Sequence, residues 1–357
     1  MPVAAPFTDP APGRVLIVDD SAVARAVLAR IIDGSDRLRV VGSVPTATGA
    51  LAFLRDACVD LIVLDIHMPG IDGLTALPDL LAAGRGARVL IVSSVARDGA
   101  AGTVRALALG AADTLVKPAP GQRLRGFEAG FIEKLERLLA PRERPAAAPV
   151  SPPPAAPIAF APGPDAFDVI AIGASTGGIH ALSHLLRALP ASMAVPILVT
   201  QHLPPSFMPY FAAQLAILAD RPCDVATDRM RLRPGRIVVA AGDAHMRCVS
   251  VGDGMGAIRL TTEAAPCGCM PSVDPMFDSV AETFGARALG VVLSGMGRDG
   301  VEGARRLTAA GGCIVAQDEA SSVVWGMPGA VTAAGLTTAL LNPRAIGELI
   351  ASRRRPL

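Results

Sequence analysis

Residues 169–189 read VIAIGASTGGIHALSHLLRAL. The run Val169 to Ile172 is short and wholly apolar, as a strand covered on both faces must be, and Ile179 to Leu189 carries apolar residues at helical spacing. Between them Gly173-Ala174-Ser175-Thr176-Gly177-Gly178 forms a glycine-flanked turn. Strand, tight turn and helix make the repeating unit of a parallel sheet with helices on its faces. Such a turn permits two chemistries. Its spelling satisfies G-x-S-x-G and can expose Ser175 as a nucleophile; alternatively, its amides can approach a dinucleotide pyrophosphate at a helix N-terminus.

Outward from this stretch the same alternation recurs. Short apolar runs at Ile197 to Val199, Ile237 to Ala240 and Leu289 to Leu293 follow it, and Val15 to Val18, Val40 to Val44, Leu61 to Leu64, Val89 to Val92 and Thr114 to Val116 precede it. Phe127, Phe131, Leu135, Leu138 and Leu139 repeat every three or four residues, as one face of a helix does. Met246 to Val251 and Ala257 to Thr262, flanking Gly252, Gly254 and Gly256, predict a hairpin added to the second sheet. Between Pro141 and Pro164, nine of 24 residues are Pro and seven are Ala, a composition that spaces two folded parts without packing on either. The expected organisation of the 357 residues is therefore a disordered tail (1–13), an α/β domain (14–140), a linker (141–165) and a second α/β domain (166–357), each domain a doubly wound parallel sheet.

Charge and hydropathy exclude several classes. The 33 basic and 32 acidic residues leave a net charge of +1, and residues 167–357 hold 16 basic against 15 acidic side chains, so no nucleic-acid partner is expected. Mean hydropathy is +0.45, but the longest uncharged stretch, Ala188 to Ala219, is broken by five prolines and cannot be one spanning helix. The first 13 residues lack a basic start followed by an apolar core, so the expectation is a cytoplasmic protein without membrane insertion whose six cysteines are reduced thiols. Cys267-Gly268-Cys269 has no second cysteine pair at zinc spacing, and no metal is assigned to it. His180 and His184, four apart on one helix, lack a carboxylate partner and are read as ordinary helix positions.

Residues just past the carboxyl ends of parallel strands converge on one crevice. In the first domain these are Asp19, Asp20, Asp65, Ser93 and Lys117. Carboxylates gathered this closely call for a cation, and a hard oxygen site suits Mg²⁺. Only Lys117 and Lys134 are lysines; where arginine meets nearly every other need for positive charge, Lys117 marks a place for a compact ammonium. The set Asp19-Asp20, Asp65-Ile66-His67-Met68-Pro69-Gly70, Asp72-Gly73, Ser93 and Lys117-Pro118 resembles the receiver domain of two-component response regulators. The resemblance implies a flavodoxin-like fold, phosphorylation at Asp65, Mg²⁺ held by Asp19, Asp20 and Asp65, a switch hydroxyl at Ser93 and phosphate sensing by Lys117. No chemical role is assigned to His67.

In the second domain both lysines are absent and Tyr210 is followed four residues later by Gln214, so the Tyr-x-x-x-Lys pair of short-chain dehydrogenases is missing and the nucleophile reading stands. Ser175 needs a base. His202, just past the apolar run from Ile197, leaves the same sheet edge, and Asp299 within Ser294-Gly295-Met296-Gly297-Arg298-Asp299-Gly300 can reach that edge to orient the imidazole. The motifs Gly173 to Gly178, Gln201-His202-Leu203-Pro204, Pro234-Gly235-Arg236, Pro271-Ser272-Val273-Asp274, Gly295 to Gly300 and Gln317 to Ser322 resemble, together with the receiver, the chemotaxis response-regulator protein-glutamate methylesterases. That resemblance implies a phosphorylation-activated hydrolase with Ser175, His202 and Asp299 as its triad and Thr176 and Met296 at the acyl-binding end, needing no cofactor in the hydrolytic site. It implies chemoreceptors carrying glutamyl methyl esters, or glutamines to be deamidated, as substrates, and a sensor histidine kinase as phosphodonor. Its rivals are a second domain that only docks partners and a DNA-binding output, the latter opposed by the net charge.

Overall fold

A computed structural model describes residues 11–93, 97–118, 125–139, 167–252 and 255–352. The readings of the linker at 141–165 and of the tail fall outside them, except that the first strand already begins at Gly13. The described residues form two compact units.

Residues 13–139 alternate β1 (Gly13–Val18), α1 (Ala22–Ile32), β2 (Leu38–Val44), α2 (Ala47–Asp56), β3 (Leu61–Leu64), α3 (Gly73–Ala83), β4 (Arg88–Ser93), α4 (Arg97–Leu109), β5 (Asp113–Val116) and α5 (Arg125–Leu139), and all but α4 belong to the first unit. Its five strands are parallel in the order β2-β1-β3-β4-β5, the flavodoxin-like arrangement. Val15 to Val18 and Leu61 to Leu64 are buried, which is why these strands show no polar alternation. Two helix starts beside the strand ends are capped by side chains: Ser21 Oγ accepts from the Ala24 amide at 3.2 Å, and Asp72 Oδ1 from the Thr75 amide at 2.6 Å.

The second unit comprises β6 (Val169–Ala174), α6 (Gly178–Arg187), β7 (Ile197–Gln201), α7 (Met208–Ala219), β8 (Cys223–Val225), β9 (Ile237–Val239), β10 (His245–Ser250), β11 (Gly256–Thr261), α8 (Val273–Phe284), β12 (Ala288–Val292), α9 (Val301–Ala309), β13 (Cys313–Gln317), α10 (Met327–Ala333), β14 (Ala339–Leu341) and α11 (Pro343–Ser352). Seven strands form one sheet ordered β14-β13-β12-β6-β7-β9-β8, all neighbours parallel, and β10 and β11 form the expected antiparallel hairpin. Three strands, β8, β13 and β14, were not among the sequence expectations. The first strand of this unit, β6, lies in the middle, with β7 on one side and β12 on the other; strand order reverses there, and a crevice opens beyond the strand ends. Val273, Met276, Phe277 and Val280 of α8 pack with Leu307 of α9 in the core against this sheet. No helix among the described residues is long and apolar enough to cross a membrane.

Candidate active site

Ser175 follows β6, His202 follows β7 and Asp299 lies between β12 and α9, so the three strands at the order reversal each deliver one group to the crevice. His202 Nδ1 stands 3.1 Å from Ser175 Oγ, and His202 Nε2 stands 2.8 Å from Asp299 Oδ2. The predicted triad is thus assembled, with Nδ1 facing the hydroxyl and Nε2 the carboxylate. When Nε2 carries the proton it donates to Asp299, and Nδ1 is left as the acceptor for the serine proton.

Backbone geometry sets the serine in place. Gly177 has φ +76°, a left-handed conformation, and a Cβ there would come within 2.5 Å of Val323 Cβ; glycine meets both demands. The Ser175 amide donates to Ser294 O at 3.1 Å, its carbonyl accepts from Gln201 Nε2 at 2.9 Å, and a Cβ at Gly295 would stand 2.9 Å from Ser175 Cβ. Ser294 is fixed in turn: its amide donates to Gln317 Oε1 at 2.7 Å and its hydroxyl to Thr176 O at 2.8 Å. Gly177 and Gly300 begin α6 and α9 without a side-chain cap. Thr176 is buried beside the serine. Met296, on the turn that carries Asp299, is half-buried.

Asp299 is 1% exposed and is held by four donors. Oδ1 accepts from Ser272 Oγ at 2.7 Å and from the Asp274 amide at 3.2 Å; Oδ2 accepts from the Val273 amide at 2.7 Å and from His202. Burial alone would raise its pKa, but the His202 hydrogen bond and charge, the Val273 amide and the Ser272 hydroxyl together hold it below the ordinary carboxylate value. These anchors come from Pro271-Ser272-Val273-Asp274, a motif whose role sequence reasoning left unassigned; Ser294, Gln317 and Gln201 were likewise missed as supports. The Cys267 to Cys269 turn lies nearby: Cys267 Sγ is 3.6 Å from Ser272 Oγ, and the Cys269 thiol is pushed up to about 12 by burial, then by Cys267 and the Asp299 and Asp274 carboxylates.

Asp274 itself has its carboxyl raised to about 6, chiefly by burial and then by Asp299, although Gly303 donates to its Oδ1 at 2.8 Å. Between its unfolded value near 3.8 and about 6 the folded state binds the extra proton, so stability falls as pH rises through that window and stays lowered above it. Asp274→Asn keeps the Oδ1 acceptor and removes the charge. The melting temperature of this variant is expected to exceed that of the wild type by a margin that grows from pH 4.5 to 7 and then levels off; a margin independent of pH contradicts the assignment.

In the first unit Asp19, Asp20 and Asp65 bring carboxylate oxygens within 4.8 Å of one another. Lys117 Nζ donates to Asp19 Oδ2 at 2.8 Å and to Asp65 Oδ2 at 2.7 Å. Burial would lower the Lys117 pKa, but these two carboxylates outweigh it and raise it. Asp19 and Asp65 are buried, Asp20 is exposed, and the Ser21 amide donates to Asp19 Oδ1 at 2.9 Å. Ser93, at the end of β4, is buried, and its carbonyl accepts from the Lys117 amide at 2.8 Å. All five predicted residues therefore occupy one sheet edge, and three oxygen donors with an open carboxylate side suit a hard divalent cation such as Mg²⁺. His67 is exposed. His180 and His184 touch each other, nitrogen to nitrogen at 3.2 Å, and join no three-residue metal-ligand cluster among the described residues.

Residues 15–126 match the response regulator receiver domain, and residues 170–350 match the family described as CheB methylesterase. The chain belongs to the CheB methylesterase family. Among its CheB relatives, the protein-glutamate methylesterase/protein-glutamine glutaminase of Maricaulis maris is 40% identical over 96% of both chains. One from Caulobacter vibrioides, named protein-glutamate methylesterase/protein-glutamine glutaminase 2, is 43% identical and covers 96% of this chain and 99% of its own. The crystal structure of the Thermotoga maritima CheB methylesterase catalytic domain superposes with a TM-score of 0.51 at 31% identity, over 52% of this chain and 98% of that one. A receiver joined to a CheB catalytic domain is therefore the architecture of this protein.

Proposed function

We propose that this chain is a protein-glutamate methylesterase and protein-glutamine glutaminase of chemoreceptors, working in the cytoplasm and activated by phosphorylation at Asp65, with Ser175, His202 and Asp299 as its catalytic triad. The observation that carries the reading is the pair of contacts running Ser175 Oγ, His202 Nδ1, His202 Nε2, Asp299 Oδ2 at 3.1 and 2.8 Å. Ser175 Oγ attacks the γ-carbonyl of a glutamyl methyl ester while its proton passes to His202 Nδ1. Asp299 stabilises the resulting imidazolium through Nε2. The negative oxygen of the tetrahedral intermediate is received by the Met296 amide and the Thr176 end of the turn. Collapse expels methanol, which takes the proton from Nδ1 and leaves an acyl-Ser175 ester. Water then attacks that ester, giving its proton to His202, and glutamate and free Ser175 are released. With a glutamine substrate the first leaving group is ammonia.

In the receiver, Asp19, Asp20 and Asp65 would hold Mg²⁺, which when bound neutralises charge on an incoming phosphoryl group. Asp65 is the group to be phosphorylated, Lys117 is positioned to pair with the phosphate formed, and Ser93 is the hydroxyl at the same edge. A histidine kinase is the phosphodonor and methylated receptors are the substrates. The test is methanol release from receptor-containing membranes, with and without a small phosphodonor such as acetyl phosphate. The wild type is expected to be stimulated, and Asp65→Asn to keep its unstimulated rate and lose the stimulation. Equal stimulation of the two proteins overturns Asp65 as the phosphoacceptor.

A further inference from the structure

Cys269 Sγ, a ring nitrogen of His202 and a carboxylate oxygen of Asp299 lie within 4.8 Å of one another, one of two such clusters among the described residues. The other is the all-oxygen acidic pocket of the receiver. Zinc bonds of about 2.0–2.3 Å place tetrahedral donors about 3.3–3.8 Å apart, inside the 4.8 Å limit that this cluster meets, so that binding requires the 2.8 Å His202–Asp299 hydrogen bond to open by only about 0.5–1 Å. Its donors are sulfur, imidazole nitrogen and carboxylate, a set that favours Zn²⁺ over the hard Mg²⁺ suited to the receiver pocket. Charge balances as well: thiolate, carboxylate and neutral imidazole offset a dication, and the thiol proton leaves to solvent on binding.

We propose that Zn²⁺ binds across His202, Cys269 and Asp299 and switches the hydrolase off. The inference rests on the reading of these residues as the triad. One His202 nitrogen faces the nucleophile and the other faces Asp299, so a metal on either one removes the base or its orienting partner. The fourth position falls to water or to Cys267, which stands on the same turn, its sulfur 3.4 Å from the Cys269 amide. Gly268, at φ +70° with open space around it, lets that turn fold back on itself. Cys267 and Cys269 had no zinc spacing along the sequence; the missing ligands come from loops 67 and 30 residues away, which only the fold brings together.

The test uses the full chain with Mg²⁺ in excess to fill the receiver pocket. Co²⁺ is titrated in and then displaced by Zn²⁺, and hydrolysis of a small ester is followed in parallel. Expected are a near-ultraviolet thiolate-to-cobalt charge-transfer band that is lost in Cys269→Ser and retained in Cys58→Ser, and displacement of that band by Zn²⁺. Zn²⁺ should inhibit the wild type reversibly on addition of chelator, while Cys269→Ser should need at least about tenfold more zinc for the same inhibition. Absence of the band, its persistence in Cys269→Ser, or a band without inhibition of wild-type hydrolysis overturns the proposal. The triad reading fails by a different sign, a Ser175→Ala protein that hydrolyses as fast as the wild type, and the cobalt band is read independently of it.

Discussion

Ser175→Ala lowers hydrolysis of receptor methyl esters by at least about 10⁴-fold, because nucleophile and base act as one unit and loss of either removes the covalent route. The change should leave the fold untouched. Ser175 Oγ has His202 Nδ1 as its hydrogen-bond partner, whereas the backbone contacts that shape the turn run through the Ser175 amide and carbonyl, which alanine keeps. The variant is therefore expected to melt within about 0.5 kcal/mol of the wild type, as substitutions away from packed or buried polar features do. Methanol release from labelled receptor membranes and a thermal melt on the same preparation check both halves. Activity near the wild-type level removes Ser175 as nucleophile; lost activity with a collapsed melting transition means that the fold was damaged and that the chemistry was not the cause.

Much of this site is visible in the chain before any coordinates, for a physical reason. Parallel strands buried on both faces must be apolar runs, as β6, β7 and β12 are, and the glycines between β6 or β12 and the following helix mark a sheet edge; together these place Ser175, His202 and Asp299 at one edge. The edge strands β8 and β14 are three residues each, too short for any periodicity to register, and they are strands by virtue of their neighbours. Strand β13 is different: its run Cys313 to Ala316 is apolar and buried throughout, so it meets the same criterion although the sequence expectations omit it. What sequence spacing could not supply was the support around Asp299. Its donors at Ser272, Val273 and Asp274 lie 25 to 27 residues earlier, and only the packing of α8 against the sheet brings them under the carboxylate. The same holds for Cys269, an unremarkable thiol in the sequence and a neighbour of the triad in the fold.

Asp299→Asn tests that support, with an expected loss of about 10⁴-fold in kcat. The carboxylate accepts from four donors, the Ser272 hydroxyl, the Val273 and Asp274 amides and His202 Nε2. An asparagine has one oxygen with which to accept, and its NH₂ group must face some of those donors head-on. If the amide oxygen keeps Ser272 and Asp274, the NH₂ meets the Val273 amide and His202 Nε2. The imidazole can then relieve the clash by moving its proton to Nδ1, the nitrogen that faces Ser175, where it can no longer accept the serine proton. If the oxygen turns toward His202 instead, the Ser272 and Asp274 donors are left facing NH₂ in a site that is 1% exposed. Either arrangement leaves a buried donor unsatisfied, at a cost of about 1–3 kcal/mol in stability. The variant should therefore lose stability as well as activity, unlike Ser175→Ala. Carboxylate charge also contributes: the folded-state pKa of Asp299 is depressed, so its stabilisation is present above the ordinary aspartate value and is lost as pH falls through the lowered one. Melting curves of wild type and Asp299→Asn should accordingly differ most near neutral pH and begin to converge as pH falls below about 3.9, the gap closing through the lowered folded-state value. A variant as stable as the wild type at pH 7, with kcat reduced less than tenfold, shows that Asp299 is not the carboxylate that orients His202.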